Sequence, residues 1–249
     1  VYRNNTMDDE RTILEIESGT EVQLNPGMDL HIGNDTDASG NLGGLKARGV
    51  TFTAADPNNK WNRIYFQKKA LDDEAYNYMD NCVIEYGHTG IWARYSKPII
   101  NNTMIQHHND HGVYCESADP VISNSTFRYN AHGVYGDGGA SPTITFNTFQ
   151  EHTSHPIEVH AAGIDSTIYG NSYVDNDNQY IWVIEQGLHE NKTYNWLNDG
   201  APYRIRNTFW VYRNNTMDDE RTILEIESGT EVQLNPGMDL HIGNDTDAS

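Results

Sequence analysis

Three prolines, Pro98, Pro120 and Pro142, stand 22 residues apart, and each opens the same short text: Pro98-Ile99-Ile100, Pro120-Val121-Ile122, Pro142-Thr143-Ile144. Seven residues after each comes a large apolar residue, Ile105, Phe127 or Phe149. Ile84 continues this series upstream and Tyr173 downstream. Between them recur Asn102-Thr103, Asn124-Ser125, Asn147-Thr148 and Asn171-Ser172. A second series keeps step at spacings of 21 to 24: Gly90-Ile91-Trp92, Gly112-Val113-Tyr114, Gly133-Val134-Tyr135, Pro156-Ile157-Glu158 and Tyr180-Ile181-Trp182. A helical repeat of this length would place apolar residues at i, i+3, i+4 and i+7. Here they alternate with period two in short bursts split by Gly, Asn and Asp, which is the pattern of short strands. A fixed period near 22 built from such strands predicts an all-β solenoid, each coil adding one strand to each of several parallel sheets.

A longer period encloses the short one. Residues 211–249 repeat residues 1–39 letter for letter, so the 249-residue chain holds one full period, 1–210, and the start of the next identical copy, 211–249. The text Tyr203–Trp210 runs into Val211-Tyr212-Arg213 without a breaker. A solenoid needs polar caps to protect its end strands, and the unbroken junction predicts one continuous rod in a parent with further copies.

Charge narrows the partners. Lys and Arg total 16 against 36 Asp and Glu, a formal net charge of −20. Such a balance argues against nucleic acid, whose partners need a basic contact face, and against docking on anionic lipid. No run approaches the ~18 apolar residues of a membrane helix, so no membrane insertion is expected of this segment. The two cysteines, Cys82 and Cys115, form no disulfide framework. Both fall on inward positions of neighbouring coils, where free thiols are expected.

The text Pro98 to Ile105, Pro120 to Phe127 and Gly112-Val113-Tyr114 follows the pattern P-x-I-x-N-N-T-I … G-I/V-x. In this the chain resembles the right-handed parallel β-helix repeat proteins. Gly19–Leu24, Gly44–Ala47, Val50–Phe52 and Trp61–Phe66 are similar to the opening coils of extracellular bacterial and archaeal β-helix domains of the pectate-lyase-like superfold. The resemblance implies a right-handed parallel β-helix and an extracellular or cell-surface location. It leaves function open, since that fold carries lyases, hydrolases, epimerases, adhesins and fibres. At about 22 residues a coil, one period makes nine or ten coils and advances roughly 45 Å.

Alternation assigns faces in the second series. Ile91/Ala93, Val113/Cys115, Val134/Gly136, Ile157/Val159 and Ile181/Val183 point inward. Outward stand an aromatic ladder, Trp92, Tyr114, Tyr135 and Trp182, broken by Glu158, and beside it a charged ladder, Arg94, Glu116, Asp137 and His160. Aromatic faces with carboxylates suit a sugar polymer, and they equally suit in-register stacking between coils or lateral contact between rods. Arg94–Glu116 and Asp137–His160 are expected as adjacent-coil pairs.

His111, His132 and His155 each precede a strand of this series and should stack, with His88, His107, His108 and His152 nearby. Such a column either bonds backbone in the turns or holds a transition metal. The polygalacturonase set (Asn-Thr-Asp, Asp-Asp after Gly or Gln, Gly-His-Gly, Arg-Ile-Lys) and the epimerase Asp-Pro-His-Asp are absent in those forms; Asp119-Pro120 continues as Val121-Ile122. Asp35-Thr36-Asp37-Ala38-Ser39-Gly40 matches the first half of a calcium loop, with Asp35, Asp37 and Ser39 as oxygen donors. Lys46 stands where the full motif has a bidentate Glu. The match is therefore partial and leaves two readings, a calcium loop and an ordinary polar loop between strands; no cofactor is required. Sequons occur at Asn4, Asn34, Asn101, Asn124 and Asn191.

These features favour a non-enzymatic structural solenoid, a surface fibre, sheath, stalk or adhesin shaft, whose partners are further copies of itself in one chain and laterally associated rods. The alternatives are a polysaccharide lyase or hydrolase on the Arg94/Glu116/Asp137/His160 face, or a glycan-binding adhesin on the aromatic ladder.

Overall fold

In a computed structural model, residues 11–35, 42–68, 70–71, 76–185, 187–212 and 221–243 are described. Among them are 28 strands and one short 3-10 turn, Ala161–Ile164. No helix among them is long and apolar enough to cross a membrane. The strands coil into a solenoid in which every strand pair is parallel. Sheets A and B have seven strands each and sheet C has nine. Successive strands along the chain visit A, B and C in turn, as Ile99–Asn101, Met104–Gln106 and His111–Glu116 do.

The register follows the alternation read from the sequence. Val113 pairs with Ile91 and Val134, and Ile157 with Val134 and Ile181. All five are fully buried in a single narrow core, which also holds a ring stack of Phe127, Phe149 and Tyr173 with centroids 4.9 and 5.7 Å apart. The glycines preceding Val113 and Val134 have a steric cause. A Cβ on Gly112 would lie 2.8 Å from the Phe127 ring, and one on Gly133 2.6 Å from the Phe149 ring. Gly112 and Val113 thus both face inward, so that His111 and Tyr114 both face outward. The spacing near 22 holds from Ile91 to Tyr203. On either side coils lengthen, from Ile64 to its partner Ile91 and from Tyr203 to its partner Val232.

The corners carry the polar residues. Between sheets A and B, Asn81, Asn102 and Asn124 take the left-handed conformation, φ 49–53°, that Asn tolerates better than most residues. The next corner puts Phe146 there (φ 57°), so Asn147 aligns with Ser125 and not with Asn124. The Asn-Ser/Thr repeat therefore slips by one residue at this coil. The residue after each of these corners turns its side chain inward. The Thr103 N–H donates to Ser125 Oγ at 3.1 Å, Ser125 N–H to Asn147 Oδ1 at 2.9 Å, Asn147 N–H to Asn171 Oδ1 at 2.9 Å, and Asn171 N–H to Asp199 Oδ1 at 2.8 Å. Each coil thereby satisfies a buried amide of the one before it.

The corner between sheets B and C repeats this device with histidine. Gly87 N–H donates to His108 Nδ1 at 3.1 Å, His108 N–H to Asn130 Oδ1 at 3.0 Å, Asn130 N–H to His152 Nδ1 at 3.3 Å, and His152 N–H to Asn176 Oδ1 at 3.1 Å. His108 Nδ1 must accept, so its Nε2 carries the proton and faces the Ile84 carbonyl at 3.1 Å. Burial pushes the His108 pKa down to about 3. An unfolded histidine titrates near 6.5, so the folded state takes up fewer protons between these values. The stability His108 contributes is complete above pH ~6.5 and is lost as pH falls from there toward about 3. His108→Asn, which keeps the acceptor, is expected to remove up to about 1.4 kcal/mol per pH unit of this dependence. Urea unfolding at pH 7 and pH 4.5 checks it; an unchanged pH slope would refute the assignment.

The second copy extends the solenoid, but its strands fall in different sheets. Thr12–Ile16, Glu21–Leu24 and Asp29–Ile32 lie in sheets A, B and C. Their copies behave otherwise. Ile223–Ile226 pairs with Thr193–Trp196, Val232–Leu234 extends sheet C on Tyr203–Ile205, and Leu240–Ile242 pairs with Phe209–Val211. The cause is the coil before them. The Ala161–Ile164 turn makes room for an extra strand, Gly187–Leu188, that packs against it. Asp199 then holds the corner position of Asn171, yet the next strand, Tyr203–Ile205, is in sheet C, so sheet B is bypassed. Sheet C has nine strands between Asp29–Ile32 and Val232–Leu234, hence eight intervals. Glu21–Leu24 and its copy are thus eight turns and one side apart, fewer than the nine or ten coils expected from a uniform 22-residue turn.

Candidate functional site

The outer face of sheet C brings three columns of side chains together. The aromatic column begins earlier than the alternation of the second series indicates. Tyr65 pairs with Trp92 in register and its ring lies 5.1 Å away; Trp92–Tyr114 and Tyr114–Tyr135 follow at 4.9 and 5.3 Å, and His31 lies 5.6 Å above Tyr65. Tyr65 went unread because the coil joining it to Trp92 is longer than the rest. The polar atoms of this column are engaged within the protein. Trp92 Nε1 donates to Glu116 at 3.2 Å, Tyr65 Oη to Asp35 at 2.9 Å and Tyr114 Oη to Asp137 at 3.3 Å, while the Arg63 guanidinium lies 4.4 Å over the Trp92 ring. Burial, together with the neighbouring Asp35 carboxylate, pushes the Tyr65 phenol up to about 12.

The charged column forms the expected pairs. Arg94 Nε lies 3.1 Å from Glu116, and His160 Nε2 3.5 Å from Asp137. His160 also faces Glu185 at 3.8 Å, and hydrogen bonding to Glu185 raises its pKa against the opposing effect of burial. The other Arg94 nitrogen, Nη1, contacts Asp35 at 3.0 Å. Asp35 is also the first of the three oxygen donors in the calcium reading. Burial would raise the Asp35 pKa, but hydrogen bonds from Tyr65, the Lys68 amide and Arg94 outweigh it and hold the carboxyl below its usual range. Asp35 is thus committed to a protein cation. Asp37 and Ser39 lie outside the described residues. The 33–44 segment, distant from the ladder in sequence, is beside it in space.

The histidines fall into two groups. His108 and His152 bond backbone inside the corner. His111, His132 and His155 stack outside, with centroids 4.9 and 5.7 Å apart. His111 also lies 4.9 Å from Tyr135, and His155 5.0 Å from Trp182. Glu158, which breaks the aromatic ladder, holds the rung between Tyr135 and Trp182 and is only 7 % exposed. Its Oε2 lies 3.4 Å from His132 Nδ1 and 3.7 Å from His155 Nδ1. Burial raises the Glu158 pKa, opposed by Arg206 and His111; burial, then His111 and His155, push His132 down to about 4. Glu158 was legible only as a missing aromatic. The signal for its role was that a carboxylate fills a ring position one coil below His132. Above this cluster Asp110 Oδ2 meets His111 Nδ1 at 3.2 Å. A shallow groove beside the column is lined by Asn62, Arg63, His88, Trp92, Asp110 and Tyr114, among others.

Other sites lie apart. Cys82 and Cys115 are buried free thiols, and burial raises both pKa values. Of the sequons, Asn4 lies outside the described residues. Asn34 and Asn191 are half-buried, and Asn124 is exposed at its corner. The Asn101 side chain donates to Asp80 at 3.1 Å and accepts from Ser123 at 3.0 Å and from Asn124 at 2.9 Å.

Among protein families, the one described as right handed beta helix region matches residues 47–173. No curated protein and no solved structure gives a significant match to the chain.

Proposed function

Because the chain belongs to the right-handed β-helix family, a fold shared by enzymes and non-enzymes, we propose from its repeat junction that it is a structural segment. In this reading it is part of an extracellular tandem solenoid, serving as a shaft, stalk or fibre. The observation that carries this is the way the second copy adds to the first. All three of its strands extend sheets of the preceding period residue by residue. Ile32 is fully buried beneath Arg63–Phe66, and its copy Ile242 presents the same apolar side chain. A further coil would bury it, contributing roughly 1.5–3 kcal/mol for that side chain alone.

What weighs against catalysis or glycan capture on the ladder is occupancy. Arg94 is shared by Asp35 and Glu116, and Tyr65, Trp92 and Tyr114 direct their donors to carboxylates of neighbouring coils. The same contacts make coil-to-coil stacking a sufficient reason for these residues.

Electron microscopy of a chain carrying six copies is expected to show a continuous rod. Strands would be spaced ~4.8 Å apart and each copy would advance about 40 Å. Discrete globules joined by linkers would overturn the proposal.

A further inference from the structure

We propose that His132, His155 and Glu158 form a binding site for a divalent transition metal of the zinc class. This is independent of the shaft reading. The ligand atoms of the three residues lie within 4.8 Å of one another. Two of the separations, 3.4 and 3.7 Å, are Nδ1 to carboxylate oxygen. A tetrahedral ion with bonds of ~2.0–2.1 Å holds its ligand atoms about 3.3 Å apart. Both of these separations are therefore within a few tenths of an ångström of the geometry such an ion requires, and the two imidazole nitrogens lie within 4.8 Å of each other.

The donor set is the second argument. Two imidazoles and one carboxylate suit zinc and its neighbours, and leave a fourth position for water. All three residues are placed by the parallel register of adjacent coils. His132 and His155 occupy equivalent positions, each two residues before the paired Val134 and Ile157, and Glu158 pairs with Tyr135. Side chains on rigid strands are preorganised for a ligand. The third argument is that His132 Nδ1 is buried and has no hydrogen-bond partner. A neutral imidazole nitrogen left in that state costs free energy, which a bound ion would recover. Glu158 approaches the same nitrogen without satisfying it.

Two features oppose the ion and bound its affinity. Ser154 Oγ lies 2.9 Å from His155 Nδ1 and must turn away, and Arg206 acts electrostatically on both Glu158 and His155. Binding is therefore expected to be weaker than at a four-ligand structural zinc site. One coil above, Asp110 and His111 form a second close group with His132. The proposal places the ion on the Glu158 side, where the donors are more buried.

The test is a Co²⁺ titration of the tag-free chain, followed by its visible d–d bands. One ion per chain with the intense bands of tetrahedral coordination, displaced by Zn²⁺, is the expected result. Glu158→Gln, nearly the same shape, is expected to weaken binding at least tenfold with an unchanged circular dichroism spectrum. Asp110→Asn is expected to bind as the parent does. Absence of bands in the parent, or equal affinity in Glu158→Gln, would overturn the site. Should Glu158→Gln fail to fold, anomalous diffraction from zinc-soaked crystals of the parent decides. A peak between His132 and Glu158 upholds the assignment, and zinc elsewhere or none refutes it.

Discussion

Replacing Phe149 by alanine is expected to cost about 3–5 kcal/mol, the range for emptying a fully buried phenylalanine site. Phe149 is completely buried and is the middle ring of the Phe127–Phe149–Tyr173 stack. It also fills the space left by the absent side chain of Gly133, where even one carbon would come within 2.6 Å of it. The site cannot collapse easily, because the backbone of each coil is bonded to the coils on either side. Phe149→Leu retains most of the volume and should cost much less. Since a solenoid behaves as a row of nearest-neighbour units, the loss should be centred on the coils holding Phe127, Phe149 and Tyr173. Amide hydrogen exchange across residues 121–176, beside urea unfolding, measures both magnitude and place. A loss below about 1 kcal/mol, or one spread evenly along the chain, would contradict this account of the core.

The second large effect is expected at Asn147. Its Oδ1 accepts from the Ser125 N–H at 2.9 Å, and its Nδ2 donates to the Ile122 carbonyl at 3.0 Å and to Asn171 Oδ1 at 3.1 Å. Asn147 is 1 % exposed, so water does not replace these bonds. Asn147→Ala strands a buried N–H and a buried C=O, each costing about 1–3 kcal/mol, for a total of about 2–6 kcal/mol. Asn124, one position earlier in the preceding coil, provides the contrast. It is exposed, φ is 50°, and its side chain donates only to Asn101. Asn124→Gly keeps the left-handed corner and should cost less than about 1 kcal/mol. Equal losses at Asn124 and Asn147 would show that the one-residue slip in the repeat is misplaced.

Much of this protein was legible before any coordinates. The parallel solenoid, the inward set Ile91, Val113, Val134, Ile157 and Ile181, the Arg94–Glu116 and Asp137–His160 pairs and the stacked His111, His132 and His155 all follow from two local facts. Side chains alternate across a strand, and equivalent residues of successive coils lie side by side. Where coil length is constant, sequence spacing is a spatial coordinate, and those residues sit where spacing is constant.

Where coil length varies, that coordinate fails. Tyr65 joins the aromatic column across a longer coil, Asp35 reaches Arg94 from a segment 59 residues away, and Phe146 displaces Asn147 from the corner its text suggested. The different sheet membership of the second copy depends on one coil that bypasses sheet B, although the copied residues are identical to the first. Glu158 is the sharpest case. Its place in the period marks it as a missing ring, and only the side-chain directions of three coils bring its carboxylate to His132 and His155. Period and alternation are properties of the chain and its pleat, so sequence determined them. Convergence of side chains from different coils depends on turn lengths, corner conformations and rotamers settled by packing, and only the tertiary structure decided it.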